Sequence, residues 1–337
     1  MSKNLTPIAD SDSAASGRQL FHAIWELVQK QFYDRSRLVA LNWVEQKHRF
    51  DSRIVDDASA IAFAKILLQT LGDRFTRVME QVEVESKAAD LVNDELFAYN
   101  KVMDNNIGYI GIASFSHSDI VEQVRERLEG VAHCQAFVVD LRGNSGGLIN
   151  KTANVLELFI DEGEICFIET PTEAGLQERF VGFTHEHFVT YTEETGKEPE
   201  KFLYLRRPPM IAGKPMVVLI DGDTASSAEL FTAALLASGQ DGSITAMGTK
   251  SSGKGIGQED VDVLGKVTIK ISCLRFLSPD QKWFGDCGQT VNDGIVADIQ
   301  FEDDGENVKA VVEAAASHLL AYLAKPVVLP VANPVAA

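Results

Sequence analysis

Ala136-Phe137-Val138-Val139-Asp140-Leu141-Arg142-Gly143-Asn144-Ser145-Gly146-Gly147 runs from an apolar segment into a glycine-rich turn, and a helical pattern follows at about 149–160. A short apolar run without polar alternation reads as a strand covered on both faces, the usual state in a parallel sheet flanked by helices. The same order recurs on either side. Ile107-Gly108-Tyr109-Ile110-Gly111-Ile112 precedes a helix at about 118–130, and a strand at 216–220 precedes a helix from about 226 to 237. This alternation through 107–237 predicts α/β crossovers.

Working outward, residues 1–17 are polar and small and read as a disordered arm. Residues 18–77 form a helical N-terminal region: Leu20, Ala23, Ile24, Leu27 and Val28 recur at helical spacing, as do Ile61, Ala64 and Leu68, and Gly72 ends the second run. The segment 78–106 is a mixed, acidic linker. Within the α/β core (107–323), residues 161–213 carry scattered Thr, Glu and Pro and read as an irregular insert. Strands continue to about 301, a helix spans roughly 306–323, and 324–337 is a Pro/Val/Ala-rich tail.

The 337 residues are 45% hydrophobic and 24% charged, enough for a sizeable core. A formal charge of −18 opposes a broad nucleic-acid surface, which needs clustered Lys and Arg. No stretch reaches the roughly 18–20 apolar residues of a membrane span. Met1-Ser2-Lys3-Asn4-Leu5-Thr6-Pro7 has no apolar signal region, so a cytoplasmic location is expected. Cys134, Cys166, Cys273 and Cys287 are widely spaced and read as free thiols.

Three loops carry chemistry. In the turn 140–147, Gly146 and Gly147 let backbone N–H groups face an oxyanion or a phosphate, although an ordinary strand-to-helix turn looks the same. Ser226, in Asp221-Gly222-Asp223-Thr224-Ala225-Ser226-Ser227-Ala228-Glu229, stands at a helix N-terminus, where developing negative charge is stabilised. The plainer reading is that Ser226-x-x-Glu229 is a capping box. The loop Gly248-Thr249-Lys250-Ser251-Ser252-Gly253-Lys254-Gly255 nearly fits the phosphate-binding G-x-x-x-x-G-K-[ST], but Gly255 replaces the magnesium-holding Ser or Thr, which excludes that reading. Lys254 between glycines is a general base only if burial lowers its pKa; otherwise it is a solvated lysine. Gln258 is placed to hold its amine.

Together these loops resemble the C-terminal processing (tail-specific) serine peptidases. The resemblance rests on 140–147, on Thr224-Ala225-Ser226-Ser227-Ala228-Glu229 and on Gly253-Lys254-Gly255-x-Gly257-Gln258. Gly294-Ile295-Val296-Ala297-Asp298 adds to it, with Ala297 where the family has Pro, as does Leu71-Gly72-Asp73-Arg74-Phe75-Thr76-Arg77. It implies a ClpP/crotonase-like core of strands and crossover helices. It also implies Ser226 as nucleophile, Lys254 as base and Gln258 as its orienting residue. The oxyanion hole would come from the N–H groups of Ser227 and of the Gly146-Gly147 turn. A protein or peptide substrate is implied, with no metal or organic cofactor, and an oligomer stays open. The PDZ domain that the family carries between helical region and core has no room in 78–106.

The insert then becomes a candidate lid or docking surface. His185 and His187 within it read as solvated rather than metal-binding. The tail reads as a loose end, with imitation of a substrate terminus as the sharper alternative. The rival from another class is a non-catalytic apolar-ligand-binding module of the same fold, as in the retinoid-binding repeats of the eye. Acyl-CoA chemistry on that fold is a further one, without a use for the Ser/Lys spacing.

Overall fold

The computed structural model describes residues 11–80, 96–239, 242–291, 293–301 and 308–325. The tail 326–337 and most of the segment 78–106 therefore lie outside the described residues.

The α/β core is a six-stranded sheet. Its strands are β2 (Ala98–Met103), β3 (Ile107–Ile112), β4 (Ala136–Asp140), β9 (Met216–Ile220), β10 (Ile244–Gly248) and β13 (Ile299–Gln300), in the order β13-β10-β9-β4-β3-β2. All pairs are parallel except β2 with β3. The unbroken apolar runs of β4 and β9 are explained by burial on both faces. Phe137, Val139, Met216 and Val218 face a core shared with α4 (Ile120–Val131), α5 (Ile149–Leu156) and α6 (Ser227–Ser238). Ala136, Val138, Val217 and Leu219 face Val311, Ala315 and Leu319 of α7 (Val308–Leu323) on the other side. The period-two alternation of a strand thus supplies two cores at once.

A second sheet of seven strands is antiparallel. It comprises β1 (Arg77–Val78), β5 (Gly163–Thr172), β6 (Gly175–Phe183), β7 (His187–Glu194), β8 (Glu200–Leu205), β11 (Ile256–Val263) and β12 (Val267–Leu277). The order is β1-β12-β5-β6-β7-β8, with β11 also paired to β12. This sheet overturns the expected ClpP/crotonase-like core: crossovers account for the first sheet only, and the fold is a double-sheet one. The reading failed at 161–213, which is a β-meander (β5–β8) rather than irregular chain. Its strands mix buried apolar residues (Ile165, Cys166, Val181, Phe183) with exposed ones (Leu176, Leu203, Leu205) among Thr, Glu and Arg, so no clean alternation marks them, and all six residues of the edge strand β8 are exposed. Hairpin pairing, rather than apolar content, holds them in register.

The helical region consists of α1 (Ser11–Gln31), α2 (Arg35–Ala40) and α3 (Asp57–Gln69). Residues 11–17, expected in the arm, are helical, while 1–10 lie outside the described residues. Leu20, Phe21, Ile24, Trp25 and Val28 form the buried stripe of α1 and pack, with Ala60, Ala64 and Leu67 of α3, on Ile269, Ile271 and Cys273 of β12. Asp56 caps α3, its side chain accepting the Ser59 N–H at 2.7 Å. All four cysteines are free, and Cys134, Cys166 and Cys273 are buried.

Phe231 is fully buried on α6, with ring centroids 5.3 Å from Phe115 and 5.2 Å from Phe159. Phe231→Ala is expected to cost about 3–5 kcal/mol through lost burial and a residual cavity. Urea denaturation checks this; an unchanged midpoint would show that the core repacks around the gap.

Candidate functional site

The end of β4 opens into the turn 140–148, and side chains fix its shape. Asp140 accepts from Arg142 Nη2 at 2.6 Å and Nε at 3.0 Å, and from the Tyr109 hydroxyl at 3.1 Å. Asn144 is fully buried; its amide donates to the Ile112 carbonyl at 2.9 Å and its Oδ1 accepts the Gly146 N–H at 2.8 Å. Its backbone carbonyl takes the Ala225 N–H at 3.0 Å. Gly146 has φ +98, and an added Cβ would lie 2.8 Å from the Ser226 Cβ and 2.9 Å from the Ser227 nitrogen. Glycine is therefore required here both by the positive φ and by the approach of the next turn.

That next turn joins β9 to α6. Thr224 donates to the Leu141 carbonyl at 2.9 Å, and Asp221 accepts from the N–H groups of Gly143 and Thr224. Ser226, 9% exposed, has φ +57 and ψ −124, a conformation that costs a non-glycine residue on the order of 1–3 kcal/mol. The Glu229 half of the expected capping box is present, with the Ser226 N–H donating to Glu229 Oε2 at 2.8 Å.

Glu229 does more than cap. It is fully buried and also accepts from Ser251 Oγ at 2.6 Å, the Gly253 N–H at 2.7 Å and the Lys254 N–H at 2.8 Å. One carboxylate therefore holds the Ser226 turn and the Lys254 loop together. Burial pushes its pKa up, against the hydrogen bonds that pull it down. This second function leaves no local mark around Glu229, because the donors at Ser251, Gly253 and Lys254 lie more than twenty residues away.

Lys254 is partly buried, with Nζ 4.9 Å above the Phe75 ring. Burial lowers its pKa below the ordinary 10.5, while Cys287 and Glu229 act in the opposite direction. Phe75 comes from the helical region, in the turn that Asp73 organises by accepting from Thr76. Its part in the lysine's surroundings was missed, since nothing in the sequence links positions so far apart.

Ser226, Lys254, Gln258, Gly146 and Gly147 all line one cleft of about 940 Å³ between the two sheets. Gln258 lies in it with its amide donating to the Ile256 carbonyl at 3.2 Å. The N–H groups of the oxyanion candidates differ. That of Gly146 is already taken by Asn144, whereas those of Gly147 and of Ser227, which opens α6, have no acceptor among the described residues. Ser227 Oγ donates to the Gly147 carbonyl at 3.0 Å, tying the two together.

His185 pairs with Asp161 at 2.8 Å and does not line the cleft. Among the described residues, the group of donors close enough to share a metal ion is His22, His48 and Asp51 on the helical region, which the sequence reading did not single out. Both histidines bond the Asp51 carboxylate at 2.8 Å, and these contacts satisfy the cluster as it stands.

Glu229→Gln would turn an amide NH₂ toward N–H donors on one side. The expected loss is about 1–3 kcal/mol, the penalty of buried donors left without acceptors. Urea denaturation and faster amide exchange at Gly253 or Lys254 would report it.

Comparison with known proteins agrees with this geometry. The chain is 28% identical over 187 residues to the carboxy-terminal processing protease CtpA of Bacillus subtilis (strain 168), covering 55% of this chain and 34% of that protein. It is 26% identical over 235 residues to the tail-specific protease of Haemophilus influenzae, covering 68% of this chain and 28% of that protein. The chain thus spans about a third of the length of the curated relatives it matches. Among solved structures, a photosystem II D1 C-terminal processing protease superposes with a TM-score of 0.62 at 14% identity, over 85% of this chain and 93% of that one. A lipoprotein from Streptococcus agalactiae gives 0.60 at 12% identity, over 95% and 99%. The likeness to these solved structures is one of fold, the double-sheet fold in place of the expected ClpP/crotonase-like core. Residues 106–301, more than half of the chain, match Peptidase family S41, and the chain belongs to that family.

Proposed function

We propose that the chain is a serine endopeptidase that hydrolyses peptide bonds through Ser226 and Lys254. The observation that carries this is the Glu229 carboxylate, which binds the backbone of both residues and so fixes the Ser226 turn against the Lys254 loop in one cleft. In the proposed reaction, neutral Lys254 accepts the Ser226 hydroxyl proton and Oγ attacks the peptide carbonyl. The N–H groups of Gly147 and Ser227 hold the resulting oxyanion, while Gly146 contributes by its shape. Lys254 then protonates the leaving amine. Water, deprotonated by Lys254, attacks the acyl-serine ester, and its collapse releases the acid and restores Ser226. The curated relatives' names refer to carboxy-terminal processing, and cleavage near a substrate's C-terminus is the specificity proposed here.

The non-catalytic binding module is less well supported. Arg179, Lys254, Glu259 and Lys270 line the cleft, and charged groups are poor company for a wholly apolar ligand. No helix among the described residues is long and apolar enough to cross a membrane. A cytoplasmic site of action remains the proposal from the sequence.

A mixed peptide library incubated with wild type, Ser226→Ala and Lys254→Met tests the reaction by mass spectrometry. Products from wild type alone, with both variants folded and slower by about 10³-fold or more, are expected. Cleavage by Ser226→Ala at the wild-type rate would end the proposal.

The rate should also depend on pH in a definite direction. Lys254 acts only when neutral, and its lowered pKa moves the neutral form to lower pH than an ordinary lysine allows. Activity should therefore rise with pH and level off below 10.5. A profile flat from pH 5 to the alkaline limit of folding would argue against a lysine base.

A further inference from the structure

The meander β5–β8 forms one wall of the cleft. Strand alternation puts Gln177, Arg179 and Val181 of β6 on the cleft face, beside Ile168 and Thr170 of β5. Arg179 stands between Ile168 on β5 and Thr192 on β7 in the register, so no carboxylate is directly opposite it. Glu194, the acid on the same face, is engaged with Gln177 at 3.0 Å and Lys197 at 2.9 Å. Among the described residues, Arg179 makes no ion pair, and it is an exposed residue on the same face as the buried Ile168 and Val181. The other wall has the opposite arrangement: Lys270 is paired with Asp260 at 3.0 Å. Of the four charged residues lining the cleft, Lys254 is the proposed neutral base, Lys270 is paired with Asp260 and Glu259 is an acid, which leaves Arg179 as the cation without an ion pair among the described residues.

We propose that Arg179 forms a carboxylate-binding subsite of this cleft, taking the terminal α-carboxylate or an Asp or Glu side chain of a bound peptide. The guanidinium offers two parallel N–H donors that match a carboxylate's two oxygens. Peptide filling the cleft displaces water from around the pair and strengthens it. The meander then does more than cover the site: it selects which peptides stay there and in which register. The inference rests on the reading that the cleft binds peptides, and its test does not require cleavage.

Immobilised Ser226→Ala protein is exposed to one mixed peptide library prepared both as free acids and as C-terminal amides, and retained peptides are identified by mass spectrometry. Arg179→Gln on the same background is the comparison. Enrichment of carboxylate-bearing peptides by about fivefold or more, lost with Arg179→Gln, is expected for a partly desolvated pair. Preference for free acids over amides assigns the α-carboxylate. Enrichment of Asp or Glu within the amides assigns a side chain. Equal retention of all classes, including none, or an enrichment that survives Arg179→Gln, overturns the subsite. Carboxylate enrichment with no cleavage by the wild type would keep the subsite and count against the peptidase reading alone.

Discussion

The buried carboxylate of Glu229 receives hydrogen bonds from Ser226, Ser251, Gly253 and Lys254, and the rest of the site depends on that convergence. It sits at the first turn of α6, where the helix dipole favours a negative charge. Two loops that follow different strands of the parallel sheet thereby become one rigid object. Burying an acid costs free energy unless its oxygens are occupied, and here each oxygen has two donors. Asn144 does the same service one turn away, joining the glycine turn to β3 on one side and to Ala225 on the other. Side-chain hydrogen bonds, rather than loop rigidity alone, hold the cleft in shape.

The two sheets divide the work. The parallel sheet ends in the turns that carry Gly147, Ser226 and Ser227, while the antiparallel sheet supplies Lys254's neighbours on β11 and the opposite wall on β5–β7. The helical region packs behind β12 and sends Phe75 over the Lys254 amine. An aromatic ring there covers one side of the lysine and adds to the burial that lowers its pKa. The N-terminal helices are thus tied to the chemistry of a residue far along the chain.

How much of this was legible depended on whether the signal was local. The β4 and β9 runs, the glycine turn and the Ser226 and Lys254 loops each have a local pattern, and the structure brings those loops into one cleft. The meander had none: its apolar residues occupy exposed as well as buried positions, so no clean period-two alternation stood out, it read as irregular and the second sheet went unseen. The ClpP/crotonase-like expectation came from the family resemblance, and with the second sheet unseen nothing in the strand pattern opposed it. Arg179, Phe75 and the reach of Glu229 were hidden for a different reason, since each matters only through a partner distant in sequence. Gly146 shows a finer limit: the sequence located the turn, but only the Asn144 side chain reveals which of its two N–H groups remains unclaimed.

The backbone at Ser226 has a consequence for the history of such chains. Its φ of +57 with ψ −124 is a conformation that glycine adopts without penalty and serine does not. Drift that rewarded stability alone would favour glycine there, because the same turn would form with less strain. A serine at this position therefore marks a trade in which the fold gives up stability to keep a hydroxyl. In chains of this architecture that no longer cut, glycine at that point of the turn would be the trace left when the demand for the hydroxyl had lapsed.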